Sequence, residues 1–224
     1  MLLLRVCAGC GAPGPSPCGR CTADMRLVGE MPPPEPLAGL WAAFAYVGAG
    51  REMLARLKYR NQRSCAGWVA SAMARALPPG LPVDAVTWAP TSAQRRRRRG
   101  FDQAELLARA LGREIRLPVV SLLRRVDAAG QTGRTRSQRS CAPVFALRRS
   151  PPSAVLLVDD VITTGATLQA AAKSLISAGA QQVGAVVAGA TPLPSSRCSP
   201  RQLSVVATMR VNNSTPVERE PPWM

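Results

Sequence analysis

Apolar residues recur along this chain with two periods, and the change from one to the other marks out its elements. Leu54 and Leu57 fall on one face of a helix over 51–59; Val69, Met73, Ala76 and Leu77 do the same over 66–77, before Pro78-Pro79-Gly80 ends the pattern. Short apolar runs at 42–47, 83–88, 155–158 and 183–188 read instead as strands, and the unbroken Val155-Leu156-Leu157-Val158 is typical of a parallel strand buried on both faces. A helix is expected from about Asp102, where Asp102 and Glu105 have the form of a capping box and Gly112 stands near the far end. Another covers 167–177 and is stopped by Gly179. Strand, helix, strand over 155–188 predicts a parallel sheet flanked by helices, an α/β fold without internal repeats.

Segments that lack either period set the domain boundaries. Residues 1–30 hold four of the seven cysteines, and Pro32-Pro33-Pro34 with Pro36 follows, so a cysteine module (1–30), a stiff proline linker (31–40) and a main domain (41–200) are expected. Residues 124–140 mix Gly, Thr, Ser and Gln with many arginines and read as a mobile basic loop; 201–224 read as a partly disordered tail with only 203–209 strand-like. At 224 residues the chain can bury a core without disulfides. No apolar stretch reaches the roughly 18 residues of a membrane span, and Leu2-Leu3-Leu4 is too short for a secretory signal. A soluble, cytoplasmic protein without membrane insertion is expected.

Charge narrows the partners. Lys and Arg total 29 against 13 acids, a formal net charge of +16, and the cations are nearly all arginine, whose planar donor fork suits phosphate. Nucleic acid, pyrophosphate and phosphosugars all fit that balance. There is no histidine, which removes the commonest general base and any His-containing metal site or triad.

The strongest chemical signal is Val155 to Thr167, where a buried strand ends in Asp159 and Asp160 and Thr163-Thr164-Gly165-Ala166-Thr167 opens a helix. A helix amino terminus offers unpaired N–H groups, the threonines add donors, and Gly165 lets the backbone approach a phosphate. Two adjacent carboxylates accept from the 2'- and 3'-hydroxyls of a ribose whose 5'-phosphate lies in that cradle. An acidic strand end of an ordinary doubly wound sheet, or a receiver phosphorylation site, is the plainer alternative, and the Thr-Thr-Gly-x-Thr sequel counts against both.

Two further clusters carry chemistry. Cys7-x-x-Cys10 and Cys18-x-x-Cys21 are paired knuckles that suit a four-thiolate, structural or DNA-binding Zn2+ site, the alternative being two disulfides. The run Arg95, Arg96, Arg97, Arg98 and Arg99 is either a solvated face or a set of phosphate contacts for nucleic acid. With only 4% aromatic residues, base stacking is a weak expectation.

The Val155–Thr167 stretch resembles the phosphoribosyl pyrophosphate motif of type I phosphoribosyltransferases. Ala89-Pro90, Arg98-Arg99-Gly100-Phe101-Asp102-Gln103-Ala104-Glu105-Leu106-Leu107-Ala108, Gln131, 136–139 and Phe145, with the cysteine module, resemble their ComF-like, competence-associated branch from about Cys7 to Ala190. The resemblance implies a phosphoribosyltransferase-like sheet with a small amino-terminal zinc-knuckle module. Asp159 and Asp160 would be catalytic and hold the ribose hydroxyls, Thr163 to Thr167 the 5'-phosphate, and Pro90, Thr91, Ser92 and Ala93 the pyrophosphate beside Mg2+. Arg134, Arg136 and Arg139 would close over the site. The family usually has asparagine where this chain has Asp102 and Cys141, and Asp102 is read equally as a helix cap or a ligand group.

Two functions remain open at this level. One is a pentosyl-transferring enzyme that passes the phosphoribosyl group to an unknown acceptor. The other is a non-catalytic, ligand-sensing protein of DNA uptake that binds single-stranded DNA and other uptake proteins. The region 30–60 shows no base-reading constellation beyond Lys58, Tyr59 and Arg60.

Overall fold

A computed structural model of the chain describes residues 6–59, 63–126 and 143–192. Its elements in order are α1 (Gly19–Ala23), β1 (Leu27–Met31), β2 (Gly39–Ala45), α2 (Gly48–Tyr59), α3 (Ala66–Ala76), β3 (Ala85–Trp88), α4 (Ala93–Arg99), α5 (Gln103–Glu114), β4 (Leu123–Val126), β5 (Val144–Leu147), β6 (Ala154–Ile162), α6 (Ala166–Ser177) and β7 (Gln182–Ala190). Five strands form one sheet in the order β1-β2-β7-β6-β3, parallel except for β1, which runs antiparallel to β2. β4 and β5 make a separate antiparallel pair. No helix among the described residues is long and apolar enough to cross a membrane.

The inner strands read as unbroken apolar runs because both sheet faces are covered. One layer joins Phe44, Leu54, Leu57, Val69, Met73, Leu107 and Leu111, from α2, α3, α5 and β2, to Leu156 and Val158. The other joins Leu168 and Leu175 of α6, and Leu123 and Phe145 of the β4–β5 pair, to Leu157, Val183 and Ala185. Alternate residues of β6 thus feed opposite cores, as the two-residue repeat of a strand demands.

Three differences from the sequence expectation concern the edges. Residues 124–140 were expected to be a loop throughout, but Leu123–Val126 pair with Val144–Leu147; residues 127–142 lie outside the described residues, as do Arg134, Arg136, Arg139 and Cys141. The tail, with its strand-like 203–209, also lies outside them. Strand β1 crosses the expected boundary at residue 30, and Ala8 and Met25 belong to the same core as Phe44 and Leu54. The proline segment lies on α6: Gln169 donates to the Glu35 carbonyl at 3.2 Å, and Pro34 Cγ lies 3.2 Å from where a Cβ on Gly165 would sit.

Candidate functional site

Adjacent parallel strands β3 and β6 deliver their carboxyl ends side by side, so the turn 89–93 and the segment 159–167 face each other, as ligand crevices of open α/β sheets do. The Ala89 N–H donates to the Val158 carbonyl at 3.0 Å and fixes the turn against β6. A cleft of about 160 Å³ lies between them, with Asp159, Asp160, Thr167, Thr91, Lys58 and Gln103 in its walls. A smaller hollow of about 30 Å³, lined by Asp159 and 161–168, opens on the α6 side.

The acidic pair lies within the strand, since β6 continues to Ile162. Asp160 Oδ1 is 3.0 Å from Lys58 Nζ, brought in by the end of α2, and both side chains are largely buried. Asp159 makes no ion pair among the described residues; its Oδ1 accepts from the Asp160 N–H at 2.7 Å. Burial and the Asp160 charge push the Asp159 carboxyl up to about 8, against the opposing pull of that N–H and of Lys58. Its proton therefore stays on the folded chain after the unfolded chain has lost it. The resulting stabilisation is complete below the ordinary value of 3.8 and is lost as pH rises through about 8. Asp159→Asn is accordingly expected to raise the melting temperature at pH 8 and leave it nearly unchanged at pH 4; equal shifts at both would overturn this.

Asp102 resolves into a structural tether. Its Oδ1 accepts from the N–H groups of Ala104 (3.1 Å) and Glu105 (3.4 Å), capping α5, while Oδ2 accepts from the Thr91 N–H at 2.8 Å. One buried carboxylate thus starts the helix and holds the turn that the sequence assigns to pyrophosphate. Burial raises its pKa, opposed by those three N–H groups. The expected capping box is only half formed, because the Glu105 carboxylate pairs with Arg109 at 2.8 Å instead.

At the cradle, Gly165 is the residue before α6 and has φ +79°. The Thr164 hydroxyl accepts from the Ala166 N–H at 3.4 Å, and Thr163 and Thr164 are exposed. Of the pyrophosphate-turn residues, Thr91 is tethered as described, and the Ser92 hydroxyl caps α4 by accepting from the Arg95 N–H at 3.3 Å. The arginine run is helical, held between that cap and Gly100 at φ +79°. Helical spacing divides it: Arg95, Arg98 and Arg99 face Lys58 and Tyr59, whereas Arg96 faces a separate cleft with Trp88 and Arg109.

Two groups that the sequence names, Lys58 and Gln103, receive no role beside the acidic pair there. Lys58 is one of only two lysines in a chain whose other cations are arginine, and that rarity was the available signal. Gln103 is 1% exposed with its Nε2 unpartnered, and the Arg99 Nε is also buried without a partner. Two orphaned donors at one cleft are a costly feature unless a ligand oxygen completes them.

The four cysteine sulfurs at the amino terminus lie within 4.8 Å of one another, and Cys10 and Cys18 are 3.8 Å apart. A tetrahedron with the usual metal–sulfur length of about 2.3 Å has edges of about 3.8 Å, so the set fits Zn2+. Cys7 Sγ accepts from the N–H groups of Gly9 (3.3 Å) and Cys18 (3.2 Å), the knuckle arrangement that stabilises thiolate. Burial pushes Cys21 up to about 12, helped by the neighbouring thiols; a bound dication would offset that penalty. Cys65 is a buried thiol apart from this set.

Residues 97–194 match the phosphoribosyl transferase domain, so in this part the chain is similar to that class. It is 33% identical over 93 residues to competence protein ComFC of Bacillus subtilis (strain 168), covering 40% of this chain and 37% of that protein. It is 28% identical over 198 residues to DNA utilization protein YhgH of Salmonella typhi, covering 80% and 82%. The match thus spans well under half of ComFC and most of YhgH. These matches support the resemblance to the ComF-like branch of that family. Among solved structures, the allosteric regulatory enzyme of purine biosynthesis aligns at 20% identity and TM-score 0.38, over 56% of this chain and 25% of that one.

Proposed function

We propose that the cleft between β3 and β6 binds phosphoribosyl pyrophosphate with Mg2+ and that the protein transfers its phosphoribosyl group to an acceptor. The observation that carries this reading is the pairing of two carboxylates with a Thr-Thr-Gly-Ala-Thr cradle, opposite a wall with orphaned donors at Gln103 and Arg99. Asp159 and Asp160 accept from the ribose hydroxyls, and 163–167 receive the 5'-phosphate at the amino terminus of α6. Thr91 to Ala93 and Gln103 face the diphosphate.

Mg2+ binds through one or two carboxylates together with substrate phosphates, and the acidic pair beside the diphosphate turn fits that demand. When bound, the ion would neutralise charge on the leaving diphosphate. Lys58 supplies a resident cation to Asp160 meanwhile. In transfer, the bond from the sugar C1' to diphosphate breaks as an acceptor lone pair forms the new bond, through a cationic sugar-like state.

Pyrophosphate release from phosphoribosyl pyrophosphate, with and without candidate acceptors, tests the enzyme reading directly. Binding without turnover on any acceptor would favour a second reading, a ligand-sensing protein that binds single-stranded DNA. That alternative is supported by the exposed arginines 95–98, which have no carboxylate partner among the described residues. Under it, affinity for a single strand should fall with salt at a log-log slope of about −0.7 per phosphate contacted. A salt-insensitive interaction would exclude it.

A further inference from the structure

The cleft that holds the acidic pair adjoins a second one at Lys58. This neighbour measures about 510 Å³ and is lined by Lys58, Tyr59, Gln94, Arg95, Arg98 and Arg99, of which Lys58, Arg95 and Arg99 line both. Among the described residues its walls are four cations, an amide and a phenol, with neither an acid nor an aliphatic side chain.

Two elements build it. Helix α4 places Arg95, Arg98 and Arg99 at spacings of three and four on one side, and the last residues of α2 stand opposite. The Arg99 guanidinium carbon lies 5.0 Å from the centre of the Tyr59 ring, and the same group donates to the Tyr59 hydroxyl at 3.4 Å and to Gln103 Oε1 at 2.7 Å. Despite these contacts the Arg99 Nε is buried without an acceptor. Tyr59 is 64% exposed, so its ring is open to a further partner. Among the described residues Arg95 and Arg98 have no carboxylate partner, and the carboxylate that Lys58 meets belongs to the ribose cleft.

These features specify a ligand. Arg95, Arg98 and Arg99 converge without a carboxylate partner among the described residues and repel one another, and an anion with several oxygens relieves that repulsion while completing the Arg99 Nε. An exposed ring beside them offers a stacking platform worth about 1 to 3 kcal/mol per base. The volume lies within the roughly 300 to 1,000 Å³ of small-ligand sites. A neutral free base would satisfy the ring and leave the cations unanswered.

We infer that this second cleft is a nucleotide subsite: it takes a phosphate on Arg95, Arg98 and Arg99 and a nucleobase on Tyr59, beside the ribose phosphate of the first cleft. This deepens the proposed function by naming the class of its second ligand, a phosphate-bearing nucleoside, either free or within a single strand. The inference rests on that reading only for the occupant of the first cleft.

The test uses thymidine 3',5'-bisphosphate, which lacks the vicinal diol that the acidic pair would read. The full chain is titrated with it, with thymidine and with pentathymidylate, each with and without saturating phosphoribosyl pyrophosphate. The bisphosphate should bind at least tenfold more tightly than thymidine, and binding should persist with phosphoribosyl pyrophosphate present. Tyr59→Ala and Arg98→Ala should each weaken it by about tenfold, a loss that Tyr59→Phe should largely spare. Pentathymidylate binding at least a hundredfold more tightly identifies a strand as the natural source, and comparable affinities identify a free nucleotide. Equal binding of thymidine and its bisphosphate, full affinity in both alanine variants, or displacement by phosphoribosyl pyrophosphate would overturn the inference. Failure of phosphoribosyl pyrophosphate itself to bind would instead sink the proposed function, while the dependence on Tyr59 and Arg98 would still be read.

Discussion

Asp160→Ala is expected to weaken phosphoribosyl pyrophosphate binding by roughly ten- to hundredfold, because a hydrogen bond to a charged group is worth about 1.5 to 3 kcal/mol. The same change removes the partner of Lys58 and lifts the charge that helps to hold Asp159 protonated. Asp159 in the variant should therefore ionise at lower pH than in the parent. Titration calorimetry with Mg2+ reads the affinity, and parallel melts show that the fold is kept. Unchanged affinity in a folded variant would mean that the ribose lies elsewhere. Asp160→Asn is the more discriminating companion, since it keeps one acceptor oxygen and should lose less.

Loss of the amino-terminal metal is expected to reach the whole described fold. Cys10→Ser, or stripping with a chelator, removes a ligand from a site whose module contributes Ala8 and Met25 to the main core and β1 to the main sheet. Exposing a methionine and neighbouring atoms costs about 3 kcal/mol, which for a chain of this size is a fall of about 6 to 12 °C in melting temperature. A single transition at lower temperature is the expected melt. Two separate transitions, with the upper one unmoved, would show that the linker isolates the module as the sequence suggests. Elemental analysis of protein purified without chelator should find one zinc per chain; under half an equivalent with the four thiols intact would refute the site itself.

The readable parts of this fold are those in which packing imposes a period. The stretch 155–158 of β6 and 183–188 of β7 are apolar because both faces of the sheet are covered, and α2, α3, α5 and α6 each turn one apolar stripe inward. β1 has no such run: Leu27 is 75% exposed, Gly29 has φ +81°, and only pairing with β2 makes the segment a strand. α4 buries nothing, so its five arginines give no stripe to detect, and its helical state depends on Ser92 and Gly100 at its ends. Local chemistry at the acidic pair and the cradle was legible because it is contiguous in sequence. Lys58, Tyr59 and Gln103 were harder to place, because they reach the site from α2 and α5.

Gly165 shows how a correct choice of residue can rest on an incomplete reason. The sequence assigns its missing side chain to the space of a phosphate. A Cβ there would instead approach Pro34, and φ +79° is an outlier for any branched residue. Gly165→Val should therefore lose stability as well as ligand, and the two losses should appear together.

The strand order carries a consequence for synthesis. β2 lies between β1 and β7, so the β1–β2 hairpin meets its permanent neighbour only after roughly 140 further residues have been made. At bacterial-scale elongation this delay is on the order of ten seconds. During that interval one edge of β2 lacks its hydrogen-bonding neighbour, and the proline segment lacks α6, against which it will lie. The cysteine knuckles are complete by residue 21, well before the sheet can close. A metal taken up at that stage would give this part of the nascent chain a fixed point before the sheet closes.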